Sequence, residues 1–157
     1  MHGYLRTVSV VLGLVAASFS LAAAQPDSET MVVVKPDDLV WKDYPGLPGV
    51  RFAIVFGDPS KEGPYTIRVK FAPGVMSHPH YHPEARYVTV LKGTWWAGTG
   101  DKFDPNTTVP VPVGSSAMHY PRKIHYDGAK DEEVLVQISG IGPSGTIPVK
   151  PGESPKE

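Results

Sequence analysis

The feature that most constrains this chain is its punctuation. Sixteen glycines and seventeen prolines fall among 157 residues, spread along the length rather than gathered into one low-complexity tract. Glycine opens backbone conformations that close turns, and proline lacks the N–H that a helix interior or a central strand needs. Between these breaks lie short runs rich in β-branched and aromatic residues: Met31–Val34, Arg51–Phe56, Tyr65–Phe71, Ser77–His82, Arg86–Leu91, Thr94–Ala97, Ser116–Tyr120, Ile124–Tyr126, Val134–Ser139 and Thr146–Val149. Short strands at this spacing predict an all-β sandwich or barrel. Tyr65–Phe71 alternates throughout, with apolar Tyr65, Ile67, Val69 and Phe71 on one face and Thr66, Arg68 and Lys70 on the other. That pattern predicts an antiparallel strand buried on one side.

The first 24 residues read as an export signal. Arg6 is their one charged side chain, Val8 to Ala17 is nearly all apolar, and Ala22-Ala23-Ala24 offers a small-residue cleavage site before Gln25. The alternative, a transmembrane anchor, needs about 20 apolar residues, and this run is shorter. Cleavage would leave Gln25–Glu157 as a single domain, large enough for its own core. No later segment is long and apolar enough to span a bilayer. The formal charge of −1 becomes −2 without Arg6, and no basic stripe marks a nucleic-acid partner. There is no cysteine, so the exported chain has no disulfide and any metal must be held by nitrogen and oxygen. Nucleophile elbows, zinc-protease helices and phosphate-cradling glycine loops are absent from the sequence.

Three of the six histidines, His78, His80 and His82, alternate within one short run. Alternate strand residues share a face, and neutral imidazole is the commonest nitrogen ligand for first-row transition metals. If Pro83-Glu84-Ala85 closes a hairpin, His82 lies opposite Arg86, His80 opposite Val88 and His78 opposite Val90, so that Arg86 lines the same interior as the histidines. Glu84 then sits at the rim.

The block Gly74…His80-x-His82…Gly93 resembles the first motif of the cupin family: glycine, five residues, His-x-His, three or four residues, glutamate, six residues, glycine. Arg86 occupies the glutamate slot. The segment Gly114–Gly128 resembles the second motif, with His125 in the histidine slot and the expected proline and glycine out of register. The resemblance runs from about Val50 to Gly142. It implies an antiparallel jelly-roll β-barrel with a metal held inside by His80, His82 and His125. Cupins include dioxygenases, isomerases, decarboxylases, lyases and non-catalytic binders, and many are homodimers; Met31–Trp41 could supply an exchanged strand.

Arginine keeps its proton and cannot ligate a cation. A metal here would therefore have three neutral protein ligands and open positions. Arg86 is read as a clamp for an anionic substrate group, as half of a structural ion pair with Glu84 or another carboxylate, or as the mark of a barrel with no metal. His78 lies at the start of its strand, at the site or at its mouth. His119 shares the parity of His125 but is read as a partly exposed strand histidine, with an inward position the alternative. Trp95 and Trp96 point to opposite faces, one inward. Tyr126 and Gln137 are each open to a role at the site or to ordinary packing. These readings predict an exported, periplasmic or secreted, metal-dependent oxidoreductase with Fe, Mn, Cu, Ni or Zn, acting on a small organic substrate. The alternatives are a non-catalytic binding or sensing module and a redox-silent lyase or isomerase.

Overall fold

The structure, a computed structural model, describes residues 27–155. The expected leader (residues 1–24) and its cleavage before Gln25 lie outside the described residues. Residues from Val34 onward form one compact unit. Met31–Val34 forms no strand, contrary to expectation. Its valines have no ladder partner in a single chain, and a strand without a partner is not stable in water.

Among the described residues eleven strands run in chain order: β1 (Lys42–Asp43), β2 (Val50–Phe56), β3 (Gly63–Phe71), β4 (His80–Tyr81), β5 (Arg86–Lys92), β6 (Trp95–Thr99), β7 (Val109–Val111), β8 (Ser116–His119), β9 (His125–Gly128), β10 (Val134–Gly142) and β11 (Ile147–Pro148). They form two antiparallel sheets, ordered β1-β2-β3-β10-β5-β8 and β11-β4-β9-β6-β7. This is the predicted all-β jelly-roll architecture. Among the described residues no helix is long and apolar enough to cross a membrane.

Period-two alternation builds the core. Tyr65, Ile67, Val69 and Phe71 of β3 are all buried, as the sequence pattern requires. The register then sets like against like. Ile67 opposes Ile138, which opposes Val88; Val69 opposes Val136, which opposes Val90. Each of these side chains is worth about 1.5–3 kcal/mol when fully buried, so the two rows pin the register of three strands at once. From the facing sheet Trp95 enters the same core, 1% exposed, while Trp96 turns outward beneath the Lys130 ammonium.

The predicted hairpin between the histidine segment and Arg86 does not form. β4 pairs with β9 and β11 in the second sheet, and β5 pairs with β10 and β8 in the first. Pro79 and Pro83 bracket β4, and neither can donate to a ladder. Only His80 and Tyr81 are left as strand, and Pro83-Glu84-Ala85 carries the chain from one sheet to the other. Arg86, Val88 and Val90 nevertheless face inward, because the two sheets enclose one interior.

Candidate metal centre

His80 and His125 oppose each other across β4 and β9, and His82 follows one residue after β4 ends. All three are buried, and one ring nitrogen from each lies within 4.8 Å of the others. Their outward nitrogens are fixed by backbone. Nδ1–H of His80 donates to His78 O at 2.8 Å, that of His82 to Gly145 O at 2.8 Å and that of His125 to Lys123 O at 2.9 Å. A neutral ring that donates from Nδ1 carries its lone pair on Nε2, and such backbone partners are what orient metal-ligating imidazoles. Nε2 of His125 is buried with no hydrogen-bond partner. The donor set therefore fits a nitrogen-bound first-row ion.

Burial is the main reason that His82, His119 and His125 resist protonation. It holds His82 far below the usual imidazole range, with the Arg86 charge adding to the effect. Burial also lowers His125, against the opposing pull of Asp127. For His119, burial and then His125 bring the pKa down to about 3.

The turn leading into β9 explains why the second motif looks out of register. Arg122 stands where the motif wants glycine and adopts φ 56°, the left-handed region that other residues seldom occupy. Its backbone N–H donates to His82 O at 2.8 Å, tying the approach to His125 onto the histidine segment.

Arg86 is 7% exposed. Its Nε and NH2 donate to Ser144 Oγ at 3.1 and 2.8 Å, NH2 donates to Gly145 O at 3.3 Å and NH1 to His82 Nε2 at 3.3 Å. No carboxylate of the described residues pairs with it. The ion-pair reading of Arg86 is thus set aside; Glu84 is exposed at the rim.

His119 is half-buried on β8 and takes the inward alternative. Its ring turns inward, 3.7 Å from that of His125 centroid to centroid, and also meets Trp95 and His82. The inward row of β8 is fixed by its pairing with β5, where His119 opposes Arg86. His78 is exposed and packs on Phe103, outside the cluster. Gln137 is half-buried on the outer face, accepting a bond from Arg68 Nε. Tyr126 is a packed tyrosine whose hydroxyl meets Thr107 and Asp104 O.

Two members of the site were missed. Ser144 lies in the loop after β10 and gave no signal. Asp127 did: it follows His125 by two residues and so shares its face. It is 6% exposed, accepts from Trp95 Nε1 at 3.3 Å and stands 3.8 Å from His125 Nε2.

His80, His82, Arg86, His119 and Asp127 form the polar wall of a cavity with about 60 Å³ in which water can move; Ile67, Val69, Phe71, Val136 and Ile138 form the apolar wall. That is room for a few waters or a small organic group. Tyr44 and Thr146 border both this cavity and a surface groove of about 310 Å³, and their hydroxyls are bonded at 2.8 Å.

The fold matches those of solved proteins, a cupin-2 domain among them. The polyketide cyclase RemF from Streptomyces resistomycificus aligns with TM-score 0.64 at 16% identity, over 80% of this chain and 89% of its own. A cupin-2 domain protein from Rhodospirillum rubrum aligns with TM-score 0.56 at 20% identity, over 78% and 81%. KdgF from a Halomonas species aligns with TM-score 0.53 at 17% identity, over 69% and 93%. At these identities the likeness is one of fold. No curated protein matches the sequence. The family model of the ChrR cupin-like domain matches residues 29–116, more than half of the chain, and the chain belongs to that family.

Proposed function

We propose that the protein is an exported, metal-dependent oxidoreductase of the dioxygenase type, acting on a small organic compound that bears an acidic group. The observation that carries this reading is a cluster of oriented imidazoles beside a buried guanidinium that has no carboxylate partner among the described residues. His80, His82 and His125 would hold the ion, which when bound supplies Lewis acidity and, if redox-active, electrons for oxygen chemistry. A buried charge is costly unless it is paired. An acidic ligand entering the cavity would supply the missing partner, and Ser144 and Gly145 hold the guanidinium in place with an NH1 hydrogen left to donate to it. The apolar wall would exclude bulk water from the bound group. The size of the cavity favours a ligand that inserts a small acidic end and leaves the rest in the groove beyond Tyr44 and Thr146.

The test loads the purified protein with Fe, Mn, Cu, Ni or Zn and screens small carboxylic acids for product and oxygen uptake. Turnover with oxygen consumption, lost in Arg86→Gln, supports the proposal. Product without oxygen uptake favours a lyase or isomerase. Ligand-linked stabilisation without product favours a binding module. Export is proposed on the leader alone, and N-terminal sequencing of the exported chain should begin at Gln25; a retained Met1 contradicts it.

A further inference from the structure

Asp127 and His125 present an arrangement that the three-histidine reading leaves unexplained. Both are 6% exposed, and Oδ2 of Asp127 faces Nε2 of His125 across 3.8 Å. Nδ1–H of His125 already donates to Lys123 O, so in the neutral ring Nε2 carries a lone pair. Two electron-rich atoms then face each other in the interior. His119 joins them: its Nδ1 is buried without a hydrogen-bond partner, and one of its ring nitrogens lies within 4.8 Å of the ligand atoms of His125 and Asp127. The carboxylate is held in position by Trp95, whose indole N–H donates to Oδ1 and leaves Oδ2 turned toward the imidazole.

We propose that His119, His125 and Asp127 form a second cation position, sharing His125 with the three-histidine set and supplying the carboxylate that position 86 lacks. The inference rests on the reading that the barrel binds a metal through His125. One ring nitrogen serves one ion, so the two positions are alternatives rather than a dinuclear pair. Ligands about 2.1 Å from a tetrahedral ion stand about 3.4 Å apart, so the His125–Asp127 separation needs only a few tenths of an ångström of closure. Two features turn a harder ion toward this position. It carries a negative charge, where the three-histidine set is neutral. And Arg86 NH1 stands 3.3 Å from His82 Nε2, where it both uses that lone pair and repels a cation, while no such contact is made by His125 Nε2. Two imidazoles and one carboxylate with open positions form the ligand set of many non-haem iron sites, and carboxylate suits Mn²⁺ better than imidazole alone does.

The test is titration of the purified full chain with Mn²⁺, reading free ion by its electron paramagnetic resonance signal. In His119→Gln and Asp127→Asn the affinity should fall at least tenfold, while His80→Ala/His82→Ala keeps it within about threefold. Asp127→Asn retains the acceptor for Trp95, and Asp127→Glu, which keeps the charge, should retain binding even if the amide variant folds poorly. Mn²⁺ binding unchanged in both His119→Gln and Asp127→Asn overturns the second position. Equal loss in all variants overturns it as a position separate from the first. If Mn²⁺ does not bind the wild type, while Zn²⁺ binds and is lost in His80→Ala/His82→Ala, the inference fails and the three-histidine reading stands.

Discussion

At the scale of single residues, the cluster is held by backbone carbonyls rather than by other side chains. Three Nδ1–H donors satisfied by His78, Gly145 and Lys123 fix where three lone pairs point. Arg86 is the departure from the family motif, and its substitution is informative. Arg86→Glu removes a buried cation next to His82 and installs an anionic ligand, so metal affinity should rise at least tenfold, or by about 1.4 kcal/mol. Competition against a chelator measures this; unchanged or weaker binding contradicts the placement of Arg86 at the ion. The histidines also set a pH dependence for the metal-free protein. An unfolded imidazole titrates near 6.5, while folded His119 titrates at about 3. Between those values the unfolded chain binds the proton that the folded chain refuses. Stability is therefore full above about pH 6.5 and is lost as pH falls toward 3, by up to about 1.4 kcal/mol per pH unit for each proton. His82 and His125, lowered in the same sense, add to the loss. Urea unfolding of the metal-free protein from pH 7 to 4 should show the decline, and a flat profile contradicts it.

At the scale of elements, the long strands were readable because burial on one face imposes strict alternation, as in β3 and β10. Two of the short ones were not. β1 has two residues at a sheet edge, and β7 is Val109-Pro110-Val111, where proline hides the pattern. The hairpin error has the same root: sequence separation suggested that β4 and β5 are neighbours, but prolines cut β4 to two residues and sent it to the other sheet. The site survived that error because inward parity does not depend on which sheet a strand joins. His119 shares the parity of His125, and its ring turns inward as that parity allows. The motif glycines have separable physical roles. Gly74 has φ 78° with open space where a Cβ would stand, whereas Gly93 has φ 73° and a Cβ there would lie 2.6 Å from Glu133 O. Gly74→Ala should cost about 1–2 kcal/mol, the penalty of the left-handed backbone alone. Gly93→Ala should cost clearly more, because a backbone carbonyl must also move. Chemical denaturation of the two variants gives the comparison; equal losses contradict the contact.

At the scale of the whole molecule, two sheets bring together side chains from β4, β5, β8, β9 and the loop after β10, at one end of an apolar core. His80, His82, the Arg86 guanidinium and the Asp127 carboxylate thus line one cavity, with the His125 ring packed against those of His80 and His82. Both cation positions require His125, which makes it the residue on which the account turns. Elemental analysis of the purified wild type, after loading and removal of free ion, should find about one transition-metal ion per chain, and His125→Ala, folded by circular dichroism, should hold less than about a tenth of that. A wild type that takes up no metal, or a His125→Ala chain that keeps its metal, would contradict the account.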